Sequence, residues 1–288
     1  MFARLPFFFR RYIMQKAISK YWPVFVLPTL LAFIIGFIWP FIWGIYLSFQ
    51  RFTTVSKTTF VGLQNYINVF SDETFLHAFS FTAAFTVVST VLINVCAFAI
   101  ALVLTRGIRG TNIFRTVYFM PNLIGGILLG YIWQILLNGV LANLQRPLLA
   151  LDAKAGFVGL VILMCWQQVG YMMIIYIAGL QNVPGDLIEA AQIDGASLFR
   201  CYYAIALPLS MPILGTITIM QIVNVWNDYI WPQLVLSEEK FTVSAGLLLT
   251  FKSEYTSNMP VMFAGYLVAS SPLILLFIFA NKFYIQGL

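Results

Sequence analysis

Charge is what this chain has least of. Only 9% of its 288 residues are charged, whereas 61% are hydrophobic. A soluble domain carries about 25% charged residues, so too little polar surface remains here to cover a water-soluble globule. The composition implies an outer surface that faces lipid. Histidine occurs once, at His77, which argues against a histidine-based metal or catalytic site. The cysteines Cys96, Cys165 and Cys201 show neither metal-ligand spacing nor a disulfide framework. There is no H-E-x-x-H and no Ser/His pairing, so a membrane-embedded enzyme finds no support. No G-x-x-x-x-G-K-S/T run is present to cradle phosphate. No metal ligand and no catalytic residue is assigned. With no low-complexity linker and no clear repeat, residues 1–288 read as one transmembrane domain.

The few charges punctuate the chain. None falls between Lys20 and Arg51, Glu73 and Arg106, Arg115 and Arg146, Lys154 and Asp186, Arg200 and Asp228, or Glu254 and Lys282. Each gap exceeds the ~20 residues that a helix needs to cross a bilayer. The expectation is an all-α integral membrane protein with six transmembrane helices, at roughly 23–49, 76–104, 117–137, 157–181, 207–229 and 261–281. Strands do not suit these spans, because runs such as Ala97 to Leu104 are apolar throughout instead of alternating. Gly125, Gly126, Gly130 and Gly139 interrupt the third span, and Pro40 predicts a kink in the first.

The net charge of +6 fits a membrane-orientation signal better than a nucleic-acid surface. Arg4, Arg10, Arg11, Lys16 and Lys20 precede the first span, and Arg106, Arg109 and Arg115 follow the second, with no acid in either group. The other loops mix both signs. The positive-inside rule therefore places both termini in the cytosol, and with them the fourth loop. Residues 1–20 read as a short basic interfacial segment leading into an uncleaved span, since the apolar run is too long for a signal peptide.

The fourth loop, 182–207, has the pattern of helix, glycine turn and helix. Pro184 and Asp186 are helix-start residues. Gly195 can adopt positive φ and stop the first helix, Ser197 can cap the second, and Pro208 marks the junction with the fifth span. The residues near the turn are small: Ala190, Ala191, Gly195 and Ala196. They allow another backbone to approach closely, and Glu189 supplies a charge beside them.

Glu189-Ala190-Ala191, then Asp194-Gly195-Ala196, then Ile205, Leu207 and Pro208 resemble the EAA signature of binding-protein-dependent ABC importers. That pattern reads Glu-Ala-Ala, three residues to Gly, nine to Ile, and one to Leu-Pro; every position matches here. The wider chain resembles the maltose-type carbohydrate permeases. The resemblance implies a type I importer permease fold in the bacterial cytoplasmic (inner) membrane. It also implies a coupling helix in the fourth loop that docks on a separate ATP-binding subunit, with Glu189 meeting a basic residue there. ATP and magnesium would then belong to a dimer of such subunits, and no cofactor to this chain. The further implied partners are a second permease subunit, a paralogue by preference, and an extracytoplasmic solute-binding protein that delivers the carbohydrate.

Polar side chains within spans mark a candidate solute path. Gln221, Asn224 and Asp228 share one face of the fifth span, and Asn224, Asn227 and Trp231 an adjacent one. Gln167, Gln168 and Tyr171 come from the fourth. Amides bond sugar hydroxyls, and aromatic rings pack on the faces of a pyranose. Polyols, glycerol phosphate and acidic sugars are alternative cargo by resemblance. An ion-coupled secondary transporter is a more distant alternative, because the span interiors lack the carboxylate that coupling usually needs. On the opposite side from the EAA loop, Ser253, Glu254, Tyr255, Thr256, Ser257 and Asn258 form a polar stretch before the last span. The resemblance implies that it contacts the binding protein.

Overall fold

The computed structural model describes residues 21–52, 57–105, 109–237, 241–247 and 259–287. Six of its helices, or continuous helical runs, are long and apolar enough to cross a membrane. The first, α1, covers Tyr21–Ser48. Pro40 cannot donate to the carbonyl of Gly36, and the helix absorbs the loss in a π turn at Ile34–Ile38, where Trp39 N–H reaches back to Ile34 O. A hairpin follows, β1 Gln50–Phe52 paired antiparallel with β2 Thr58–Phe60, and then α2, Gln64–Ser71. These are the only strands among the described residues, and they lie outside the spans. Asn65 fixes this corner by donating from Nδ2 to Ser48 O at 2.7 Å and to Gln50 O at 2.8 Å.

Helix α3, Glu73–Leu104, starts where Asp72 accepts from the N–H groups of Thr74 and Phe75. It packs along α6, Ala153–Gln181, in the most extensive helix contact of the molecule. Asp152 caps α6 in the same way. These two helices supply most of the core, with Phe85, Ile93, Leu160, Leu163 and Met173 fully buried between them and their neighbours. In its most apolar 18-residue stretch α6 is 61% buried, whereas the corresponding stretch of α1 is 0% buried. Helix α1 touches the rest of the chain mainly through α11, Met259–Gly287.

The third span departs from the sequence expectation. The chain does not run as one helix over 117–137. It forms α4, Thr111–Phe119, a 3₁₀ turn at Met120–Leu123, and then α5, Gly126–Asn143. Pro121 explains the break, because it cannot donate to the preceding turn, and Ile124 and Gly125 follow with extended backbone. The hydropathy of 117–137 is continuous, so a count of apolar residues carries the span across a point where the backbone cannot stay helical.

The fifth span is also interrupted. Helix α9, Leu207–Trp226, ends three residues before the expected boundary, and α10, Ile230–Val235, continues beyond it. Between them Asn227, Asp228 and Tyr229 form no regular helix. The other boundaries fall close to expectation, at Glu73 for the second span, Ala153 for the fourth and Met259 for the sixth. The basic segment 1–20 lies outside the described residues.

One contact sets how α4 lies on α6. A Cβ added at Gly170 would stand 1.7 Å from Tyr118 O and 2.3 Å from Tyr118 C. These are backbone atoms that no rotamer change can move, so only glycine allows the approach. Gly170→Ala is expected to destabilise the protein by at least the ~1–3 kcal/mol typical of overpacking. Gly139→Ala, where a Cβ meets nothing within 4 Å, is expected to be neutral or slightly stabilising. Thermal unfolding of both variants in one detergent checks this, and equal melting temperatures would show that the backbone contact is not required.

Candidate functional site

The two interrupted helices meet. The gap between α9 and α10 and the start of α5 enclose, with α6, a cavity of about 250 Å³ lined by Gly126, Met164, Gln167, Gln168, Asn224, Asn227, Asp228, Tyr229, Ile230 and Trp231. Six of the eight residues expected on a solute path are in this lining: Gln167, Gln168, Asn224, Asn227, Asp228 and Trp231. Two are not. Gln221 is fully buried one turn deeper in α9, where the same helical face has left the cavity and packs within the bundle. Tyr171 lies against the main hydrophobic core, one turn beyond Gln167 and Gln168 on α6.

The interrupted backbone shapes the cavity. Trp231 donates from Nε1 to Gly126 O at 2.9 Å, and Gln134 donates from Nε2 to Leu234 O at 2.6 Å. Both bonds tie α10 to α5. Gly130 gives α10 room to lie there: a Cβ would come within 2.4 Å of Leu234 Cδ1 and 3.3 Å of Trp231 Cδ1. Two of the glycines that looked like interruptions of the third span, Gly126 and Gly130, are therefore the seat of α10. Gly126, Met164, Tyr229 and Ile230 were not expected as lining residues. The paired Gly125-Gly126 was the available signal, since a glycine pair lets a helix start against another backbone.

The polar groups of the cavity are incompletely satisfied by the protein. Asp228 accepts from Ile230 N–H through Oδ1 at 3.2 Å, while its Oδ2 is buried without a partner. Gln168 donates to Gln167 Oε1 at 3.1 Å, and Asn227 donates to Val223 O at 2.9 Å. Each amide keeps further hydrogen-bonding capacity. The result is a small concave site with amides, one carboxylate and two aromatic side chains, suited to a polyhydroxylated molecule.

At the other candidate site, α7 spans Gly185–Ile193 and ends in a Schellman motif. Ala196 N–H bonds Ala191 O at 2.9 Å, Gly195 N–H bonds Gln192 O at 3.0 Å, and Gly195 has φ +82°. Asp194 is the C-cap residue. Ser197 Oγ then accepts from Arg200 N–H at 3.3 Å and starts α8, Leu198–Cys201, which runs through a π turn at Tyr202–Ala206 into α9. Pro208 lies in the first turn of α9 beside Leu207, and Ile205 is within the π turn. Glu189 and Ala190 are exposed, Ala191 and Ala196 half-buried. No residue of α7 is buried, and Leu187 and Ile193 are 46% and 80% exposed. The expected stretch 253–258 lies outside the described residues.

Residues 110–288 match the family model described as binding-protein-dependent transport system inner membrane component. The chain is 39% identical over 199 residues to the probable starch degradation products transport system permease protein AmyD of Thermoanaerobacterium thermosulfurigenes, covering 67% of this chain and 68% of that one. It is 31% identical over 209 residues to the trehalose/maltose transport system permease protein MalF of Thermococcus litoralis, covering 69% and 71%. It is 35% identical over 213 residues to the sn-glycerol-3-phosphate transport system permease protein UgpA of Brucella abortus, covering 69% and 72%. Its fold is similar to a chain in the crystal structure of a bacterial ABC transporter involved in the import of the acidic polysaccharide alginate. There the TM-score is 0.76 at 18% identity, over 95% of this chain and 98% of that one.

The geometry makes a stability ordering testable. Trp231→Phe keeps the ring but removes the bond to Gly126 O, for an expected loss of about 1 kcal/mol. Gly130→Val forces Leu234 away and is expected to lose more, about 1–3 kcal/mol. Melting temperatures in detergent should fall in the order wild type, Trp231→Phe, Gly130→Val. Wild-type stability in Gly130→Val would mean that α10 is not seated on α5.

Proposed function

This chain belongs to the family of binding-protein-dependent transport system inner membrane components, and from that premise we infer that it is the membrane-spanning subunit of an ATP-driven importer of carbohydrate. The observation that carries the cargo class is the cavity, where four amides and two aromatic side chains converge beside two helix breaks. Its volume of about 250 Å³ is just below the ~300–1,000 Å³ common for small-molecule sites. It suits a single sugar unit, with a longer chain extending from its mouth. Among the described residues no Lys or Arg lines it, and Asp228 does. A phosphorylated or otherwise anionic cargo would meet a carboxylate with no cation to offset it. This favours neutral sugars such as those in the names of the starch-product and maltose relatives over the glycerol phosphate of another.

The chain works without an ATPase centre of its own. A dimer of ATP-binding subunits holds the nucleotide and its magnesium, and α7 docks on one of them. Support comes from the EAA residues on a short helix that has no buried residue and is closed by a glycine turn. Such a helix can transmit displacement because the Schellman turn joins it to α8 and so, through a continuous helical path, to α9, whose end lines the cavity. A second permease subunit, a paralogue, completes the translocation path, and an extracytoplasmic binding protein delivers the solute. Residues 253–258 contact that protein. Both termini and the loop 182–207 face the cytosol of a bacterial cell, as the Lys and Arg distribution favours.

For the cavity, Asn224→Ala and Asn227→Ala should each lower uptake of the transported sugar by roughly 2–10-fold, the worth of one lost neutral hydrogen bond, with assembly unchanged. Uptake assays in whole cells measure this, and an undiminished rate in the double variant would exclude the cavity as the path. For the coupling helix, Glu189→Ala should weaken capture of the ATP-binding subunit by ~2–5 kcal/mol, the cost of breaking a buried interfacial ion pair. Gly195→Ala should add strain of ~1–2 kcal/mol at the left-handed position. Co-purification of the ATP-binding subunit with the tagged chain is the readout, and wild-type recovery with both variants would remove α7 from the coupling role.

A further inference from the structure

A second cavity lies away from the solute path. It has a volume of about 370 Å³ and is lined by Ala99, Ile100, Val103 and Leu104 at the end of α3 and by Phe114 and Tyr118 of α4. The tyrosine hydroxyl is the only polar side-chain group among these residues. Val103, Phe114 and Tyr118 are 49%, 49% and 41% exposed, so the groove opens at the surface. Its sides are side chains of two helices that are consecutive in the chain.

The stretch of chain that builds this groove carries charge of one sign. Its sequence holds Arg106, Arg109 and Arg115, and no acidic residue occurs anywhere between Glu73 and Asp152. Arg115 follows Phe114 in α4 and is half-buried, and its Nε is buried without a hydrogen-bond partner. The Nε is shielded by the protein, so the terminal nitrogens of this guanidinium are the ones left to meet an anion from outside the chain. An apolar groove within the hydrocarbon, capped by arginines at the level of the headgroups, has the two-part chemistry of one molecule.

We propose that this groove is a binding site for an anionic phospholipid of the inner leaflet. One acyl chain lies along Ala99, Ile100, Val103 and Leu104 under the rings of Phe114 and Tyr118. The phosphate accepts hydrogen bonds from Arg115 and is attracted by Arg109. A basic pocket between helices on the cytoplasmic side is the setting in which anionic headgroups bind. The volume holds most of one chain and excludes a folded peptide. The assignment rests on the orientation argued above, but not on the cargo or on the coupling helix, so those readings can fail while this one stands.

The test uses the full chain, affinity-purified with whatever subunits accompany it, in nanodiscs of phosphatidylcholine with a minor fraction of phosphatidylglycerol. After mild delipidation, native mass spectrometry counts the retained lipids. The wild type should retain phosphatidylglycerol in preference to phosphatidylcholine. The double variant Arg109→Gln, Arg115→Gln should lose that preference by roughly tenfold or more, since each basic residue near the surface contributes to holding an anionic lipid. Arg115→Lys on the wild-type background keeps the charge and should keep most of the preference. Ala99→Trp fills the groove and should remove the bound lipid with both arginines in place, and excess inorganic phosphate should not displace it. Undiminished preference in the double glutamine variant overturns the proposal. So does retention in Ala99→Trp, or displacement by free phosphate. Absence of retained phosphatidylglycerol from the wild type, as when a protein partner fills the groove, also overturns it.

Discussion

Everything in this molecule depends on the fact that a backbone N–H or C=O cannot be left unpaired in hydrocarbon. That constraint makes the spans helical. It also dictates where a helix can stop. The two interruptions, at Met120–Gly125 and at Asn227–Tyr229, are tolerated because they are turned inward and side chains or turn bonds take up what the helix gives up. Gly126 O, the first carbonyl of α5, accepts from Trp231, the second residue of α10. This side-chain bond ties the two breaks to each other. Between them polar backbone and amide side chains open onto a cavity. The cavity is a consequence of the interruption, not an addition to it. Straightening either helix would restore its ladder and close the space.

Much of this was legible in the residues. The six charge-free gaps locate all six spans, because ionised side chains are excluded from the hydrocarbon. The glycine turn of the fourth loop follows from Gly195 alone, and the structure gives it φ +82°. Six of eight polar residues meet as expected. What was not legible follows from the same physics. Hydropathy measures transfer to lipid and is blind to a missing N–H, so Pro121 did not move the third span although it breaks the helix there. Helical periodicity assumes a continuous helix. Applied across Asn227–Tyr229 it put Trp231 on the face of Asn224, whereas Trp231 reaches the cavity from a separate helix held to α5. Gln221 shows the converse: the periodicity holds, yet the cavity ends before that turn.

The long contact between α3 and α6 gives these breaks a frame. Both helices are continuous, both are capped by an aspartate, and their shared face is closed by residues with almost no exposure. Gly170 brings the backbone of α4 against this pair, and Gly156 and Gly159 bring the turn before α6 close through Leu149. Small residues take this role because lipid tails are as apolar as leucine, and helices in a membrane associate through close packing instead of through exclusion of water. The rigid pair therefore carries Gln167 and Gln168 on the fixed wall of the cavity, while the opposite wall is built from short pieces, α10 and the end of α9. If one wall moves when the path opens, the short pieces are the ones with fewer internal bonds to preserve.

Exposure means different things at the two ends of the chain. Helix α1 is uncovered over most of its length, and its Phe33, Phe37 and Phe41 rings stack along one side. In lipid that costs nothing, so the bare surface of α1 does not by itself call for a protein partner. Helix α7 is bounded by charged and polar residues and carries Leu187 and Ile193 largely uncovered. If α7 faces water, each of these side chains forgoes about 1.5–3 kcal/mol that burial would return. A nine-residue helix with no buried face has no packing to hold it in this chain. Its caps preserve its shape. The element left with uncovered apolar side chains is then the one on which the EAA residues sit, which is what the proposed docking on a separate ATP-binding subunit would use.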